Sequence, residues 1–365
     1  FRRVLFRSGS NDNWRGFTWF GNAEYNYRNK YFGQMSLALE SNSRFGENAD
    51  GLGLFGVKWG VFPSIQAGWA LTSEQWFPKN IGINYLLLHS GFDISGNDNI
   101  SNYAARTSFN VVKFLYQSNG IQLNNIGNDK IQWEQTTKFD IGLKSSFLNN
   151  RIGLDFDYFL HHTSNLLTLK SIDNPLIGIN QYWSNGGSLE NTGFELSLTF
   201  KPVVVRNFNV ELGASVGHYK NTVTELPTAT VTGGSTAGIT SSLYGATILT
   251  EVGKPANLFY GYRTLGVFST SEEAAAANLY ILDDNGIDRR YFGAGDMHFA
   301  DLNGDGQITD ADRVVIGDPN PDIYGNIFTS LTYKRLRLDV NFNYSLGNDV
   351  YNYMRSQLES GSRFM

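Results

Sequence analysis

Apolar and polar residues alternate along much of the chain with a period of two. In RIGLDFDYFL, Ile152, Leu154, Phe156, Tyr158 and Leu160 share one face; Arg151, Gly153, Asp155 and Asp157 share the other. RLRLDVNFNYSL sets Leu336, Leu338, Val340, Phe342, Tyr344 and Leu346 against Arg335, Arg337, Asp339, Asn341, Asn343 and Ser345. Phe194, Leu196, Leu198 and Phe200 repeat the pattern, as do Phe208, Val210, Leu212, Ala214 and Val216. Successive side chains of a strand point to opposite faces, so each run predicts a strand with one apolar and one polar face. Several runs outlast the ~5–6 residues usual in globular strands and match the ~9–11 of a tilted strand crossing a bilayer.

The connections sharpen this reading. Tight turns are expected at Arg28–Lys30, near Pro63, at Asn149–Asn150, at Pro202–Asn207 and at Lys334–Arg335. Long polar excursions are expected over 45–52, 73–80, 169–188 and 225–324. Short periplasmic turns alternating with long extracellular loops characterise outer-membrane barrels. Strand parity then requires 225–324 to be one extracellular excursion, with LFYGYRTLGVF (258–268) outside the membrane. Over 91–131 the same parity predicts a turn near Gly96 and an ascending strand at 103–116. The expected fold is all-β: an antiparallel transmembrane β-barrel segment of about 12 strands, part of a barrel of about 22, with long extracellular loops. SEEAAAANLY (271–280) is the one helical signal, with Ser271 as cap and Glu272 and Glu273 in the first turn.

Composition changes the picture in three places. The net charge of −5 lacks the basic surface that a nucleic-acid partner needs. Without cysteine there is neither a disulfide framework nor a Cys-based zinc site. A mean hydropathy of −0.28 suits a soluble chain, but also a barrel in which only every second residue meets lipid. FRRVLFRSGS has no initiator Met and no signal-peptide pattern, so 1–10 reads as a non-native or misread leader. The remaining 11–365 reads as an internal piece of a longer barrel.

Candidate chemistry is concentrated in ADLNGDGQITDADRVVIGDPNPD (300–322). Asp301, Asn303, Asp305, Gln307, Thr309 and Asp312 hold the ligand positions of a calcium loop, with Gly306 at its sharp turn. Asp312 stands where Glu is usual and is one carbon shorter. The loop reads as a staple carrying a structural Ca²⁺, or as a run of Asx-turns with Gly304 and Gly306 at positive φ. Adjacent His161 and His162 face opposite sides of a strand; His89, His218 and His298 are isolated. No nucleophile triad or carboxylate pair nominates an enzyme. Tyr182 and Trp183, with Tyr260 and Tyr262, are candidate substrate-stacking aromatics in loops; Trp14, Trp19, Tyr25, Tyr27 and Tyr31 suit an interface girdle.

Several phrases, in order, carry a family resemblance. VFPSIQAGWALTSEQWF (61–77), QWEQTTKFDIGLKSSFLNNRIGLDFDYFLHHTSNLL (132–167), GGSLENTGFELSLTF (186–200), VGKPANLFYGYRTLGVF (252–268) and SLGNDVYNYMRSQLE resemble segments of SusC/RagA-type TonB-dependent outer-membrane transporters. Phe159 departs from a common Tyr, and His161–His162 stand where such transporters often have a Lys or other polar residue. The resemblance implies a barrel of about 22 strands around an N-terminal plug. It implies import of large nutrients, glycans or peptides, through the TonB complex, beneath a SusD-like surface lipoprotein. On this reading the chain carries neither plug nor TonB box. The competing expectation is a secreted, calcium-stabilised β-protein that binds glycans, with short strands and no need for a bilayer.

Overall fold

A computed structural model describes residues 13–114, 118–172, 179, 181–226, 238–283 and 285–359. They divide into two compact units: one holds the long strands and the excursions up to 226, and the second holds 238–322 with 345–359.

The long strands are β1 (Gly16–Tyr27), β2 (Tyr31–Asn42), β3 (Val57–Ala70), β4 (Ile83–Asn97) and β5 (Glu134–Phe147). They continue with β6 (Ile152–Ser164), β7 (Ser188–Val205), β8 (Phe208–Glu225), β9 (Ile323–Tyr333) and β10 (Leu336–Leu346). Each pairs with its sequence neighbours in one sheet; a short eleventh strand, Leu52–Leu54, pairs with β3. Joining strands in chain order makes an antiparallel meander, whose every ladder is closed by a turn or an excursion.

Register fixes what each face carries. Leu143 pairs with Leu88 and Phe156, Phe156 with Leu196, and Leu196 with Val216. One face is therefore aliphatic and aromatic, yet it is covered by nothing among the described residues: Trp19, Met35, Ile65, Ile141 and Ile327 are all exposed. The other face is polar and internally paired. Lys138 bridges Asp93 at 3.3 Å, His89 lies 3.5 Å from Asp157, and the Tyr324 hydroxyl donates to Glu195 at 2.7 Å. Glycines make room there; a Cβ on Gly142 would meet His89 and Asp157, and one on Gly217 the Tyr324 ring. The buried apolar clusters lie in the excursions instead. Phe45, Ile100, Ala104, Ile131 and Trp133 form one cluster in the first unit, and Phe268, Ala274, Leu279 and Ile308 another in the second.

At one end of the sheet the strands join through 28–30, 71–82, 148–151, 206–207 and 334–335; at the other through 43–56, 98–133, 165–187 and 226–322. Arg28, Asn29, Leu148, Asn149, Asn150 and Lys334 take the positive φ that tight hairpins require. The expected turns at 28–30, 149–150 and 334–335 are present.

Several expectations change. Pro63 makes no turn: it lies within β3 opposite Leu37, and the described β3–β4 ladder stops beside it at the Ser64–Asp93 pair. A residue without an N–H is tolerated at a ladder's end. Consequently 73–80 joins strands at the tight-turn end, not among the long excursions. Gly96 is likewise no turn. It pairs with Gln135 in β4, and its missing side chain leaves room for the Phe62 ring, which a Cβ would approach to 2.3 Å. Finally, the ascending strand expected at 103–116 is a local hairpin, Ser108–Phe114 with Ser118–Asn125, paired only with itself. The sheet thus carries ten long strands among the described residues, not twelve. The helix Ser271–Ala277 is present, but its cap is Thr270, which accepts from the Glu273 amide at 3.2 Å.

The tight-turn end is latched by Glu74. Its carboxylate accepts from Lys30 Nζ at 2.9 Å, Tyr31 Oη at 2.9 Å and Trp69 Nε1 at 3.1 Å. A ladder of rings, Tyr25, Tyr27, Tyr31, Trp69 and Trp76, runs along the same edge of the apolar face. The bonds from Lys30, then from Tyr31 and Trp69, hold the Glu74 carboxyl below its ordinary value. A depressed carboxyl stabilises the fold above its unfolded value and loses that contribution as pH falls through its folded value. The Trp69 indole N–H resonance in micelles is therefore expected to lose protection only as acid takes the pH below the ordinary range of a glutamate carboxyl. Glu74→Gln should abolish this acid step; a step that survives the substitution would assign it to another group.

Candidate functional site

The second unit carries the Asp-rich loop and two of the four nominated aromatics, Tyr260 and Tyr262. Its Asp-rich loop closes on its own amides. Asp301 accepts from the Gly304 and Gly306 amides at 2.7 and 2.8 Å, Asn303 from Asp305 N at 3.0 Å, and Asp305 from Gln307 N at 2.7 Å. Asp312 is fully buried, and its two oxygens accept from Leu302 N at 2.9 Å and Thr309 N at 2.8 Å. Gly304 and Gly306 have φ of 75° and 78°. The six nominated residues do share one tight loop. Among the described residues, however, no group of three His, Asp or Glu side chains is arranged to hold a metal ion. Side-chain acceptors and backbone donors close the loop on itself as a run of Asx-turns.

The loop ends in a short strand, Arg313–Gly317, which pairs with the strand Leu258–Tyr262: Tyr260 opposes Val315 and Tyr262 opposes Arg313. Closing the loop thereby sets Arg313 beside the two nominated tyrosines. Its guanidinium lies over the Tyr262 ring at 5.1 Å and reaches Asp310 at 3.1 Å. Tyr262 also donates to Asp310 at 3.3 Å and packs edge-on against Phe299. Tyr260, Tyr262 and Arg313 line a cavity of about 510 Å³ together with Ile316, Val350 and Tyr351.

Tyr182 and Trp183 belong to the other unit. They lie in the hairpin of Leu167–Ser171 and Gln181–Asn185, where Tyr182 opposes Lys170 and Trp183 opposes Leu169. Trp183 packs against the buried cluster around Trp133, and its carbonyl accepts from Asn128 at 3.1 Å. Asn185 clamps the hairpin base, donating to the carbonyls of Gln132 and Asn165 at 2.9 Å. Trp183 is thus half-buried in a packing position; Tyr260 and Tyr262 are also half-buried and line the cavity, and Tyr262 packs against the cluster around Phe268.

Sequence reasoning did not single out Arg313, Ile316, Val350 or Tyr351. The available signal was the spacing of Asp310 and Arg313, three residues apart at the loop's exit.

A family model described as "TonB dependent receptor-like, beta-barrel" matches residues 3–352. The chain belongs to this receptor-barrel family. It is a wall of an outer-membrane β-barrel of the TonB-dependent receptor kind. It is 32% identical over 354 residues to TonB-dependent receptor P39 of Formosa agariphila, aligning 90% of the chain with 32% of that protein. It is 28% identical over 353 residues to TonB-dependent receptor SusC of Bacteroides thetaiotaomicron, aligning 92% of the chain with 31% of SusC. Among solved structures, the RagAB peptide transporter superposes with a TM-score of 0.71 at 21% identity, over 92% of the chain and 34% of its counterpart. The chain therefore spans about a third of the length of the relatives it matches. The resemblance to SusC/RagA-type members holds at the level of sequence and fold. The bare apolar face is the lipid-facing side of this receptor wall, and the charged face its lumenal side.

Asp312→Ala should destabilise the loop by about 3 kcal/mol, since two amides lose the acceptor that a buried carboxylate supplies. Hydrogen exchange over 300–317 is the measurement, and the unaltered chain should keep its protection in EDTA. Protection that collapses in EDTA would assign the loop a cation.

Proposed function

We propose that the chain forms part of the barrel of a TonB-driven outer-membrane importer of large nutrients, glycans or peptides. A SusD-like surface lipoprotein would close the end from which the long excursions leave, which on this reading faces outward. The observation that carries the proposal is a ten-stranded sequential sheet whose apolar face lacks a core. A soluble sandwich has to cover such a face with a second layer. The sequence likeness to SusC and the fold shared with the RagAB peptide transporter support the importer class. The excursion of 226–322 supplies surface for both substrate and partner. The competing reading, a secreted glycan binder, leaves the apolar face without an environment.

Boiling should shift the gel migration of the full-length protein extracted from outer membranes, the behaviour of a detergent-stable barrel. Cells carrying it should take up labelled oligopeptide or oligosaccharide only with TonB intact. Folding of the protein in buffer without detergent would contradict the proposal and favour the secreted binder.

A further inference from the structure

The cavity in the second unit has a chemistry more specific than its size. Its floor is backbone at Gly261 and Gly317; a Cβ on Gly317 would strike the Asp349 carboxylate at 2.8 Å. Asp349 is committed there, accepting from Asp318 N at 2.8 Å while its own amide donates to Asp318 O at 2.7 Å. These two bonds pin the 349–351 wall against the end of the Arg313–Gly317 strand. Ile316 and Val350 are left as an aliphatic rim, 55% and 80% exposed. No Asn or Gln lines the cavity, and its one carboxylate is already occupied. Its neutral polar side chains are the hydroxyls of Thr247, Tyr260, Tyr262 and Tyr351, and Arg313 is its one cation.

Arg313 is the cation on the wall, and its binding edge is half used. Nη2 pairs with Asp310, whose side chain is 84% exposed, so the pair is screened by solvent and readily exchanged. Nε, on the same edge, is buried and has no hydrogen-bond partner. The Nε–Nη2 edge of a guanidinium is shaped to take both oxygens of one carboxylate.

We propose that this groove binds a short extended peptide bearing a carboxylate. The carboxylate displaces Asp310 and takes the Nε–Nη2 edge of Arg313 as the guanidinium turns toward it. A neighbouring apolar side chain of the peptide lies on Ile316 and Val350, between Tyr260 and Tyr351. This deepens the importer reading, and rests on it, by naming an acidic, partly apolar peptide as the ligand of the second unit.

The test uses the full-length protein in detergent and a fluorescein-labelled Gly-Leu-Leu-Glu peptide, with the same peptide ending in glutamine amide as control. Saturable binding of the acidic peptide is expected, about tenfold tighter than the amide, the size of one charge-assisted contact. Arg313→Gln and Val350→Asp should each weaken it by a similar factor. Asp310→Ala should tighten it, since it removes the competitor for Arg313. Equal binding of acid and amide, displacement by maltotriose, or indifference to all three substitutions would overturn the proposal. Heat-modifiable migration separates the two readings. If it persists without peptide binding, only the groove fails; if it is absent, the barrel reading fails with it.

Discussion

A backbone in hydrocarbon must satisfy every N–H and C=O from within the protein, because no water is there to do it. The long sheet is built around that constraint. Sequential antiparallel pairing gives each interior strand a neighbour on both sides. At Pro63 there is no N–H to satisfy. Its absent N–H falls where the ladder to β4 ends and the Phe62 ring crosses over Gly96. Once the backbone is satisfied, the side chains on the apolar face need only match lipid. That frees them from packing and explains why the buried clusters lie in the excursions instead.

The two ends of the sheet are secured by different means. The tight-turn end uses short hairpins, a ladder of rings and the three-donor latch on Glu74. The other end relies on packed excursions, in which Trp133 is buried and neighbouring Glu134 accepts from Leu167 N at 3.1 Å and Asn97 at 3.1 Å. Two of the phrases that resemble SusC/RagA-type sequences thereby acquire physical content. In VFPSIQAGWALTSEQWF, Trp69 and Glu74 are the two ends of one hydrogen bond. In QWEQTTKFD, the Trp133–Glu134 pair joins a buried ring to a carboxylate that ties the 165–187 excursion to the end of β4.

Much of this was legible in the alternation of side chains, since a period of two determines both strand and face. Partners were harder to read. Ser108–Phe114 alternates as convincingly as a spanning strand, yet pairs with the next few residues, and periodicity does not encode the partner. Pro63 and Gly96 carried strong turn signals whose real causes, a ladder's end and clearance for a ring, exist only in three dimensions. The Asp loop was legible as a motif, and Tyr260 and Tyr262 as nearby aromatics. Arg313 was not, because an arginine after an acidic loop is unremarkable until pairing sets it beside Tyr262.

The most direct measurement exploits the absence of cysteine from the chain. Single cysteines placed at successive positions from 152 to 160 in the full-length protein, spin-labelled in lipid vesicles, report collision with oxygen and with a water-soluble nickel chelate. Labels at Ile152, Leu154, Phe156, Tyr158 and Leu160 should meet oxygen and exclude nickel, and those at Gly153, Asp155, Asp157 and Phe159 should do the reverse. Equal access of nickel to both sets would contradict a lipid-facing sheet, and with it the barrel assignment of these strands.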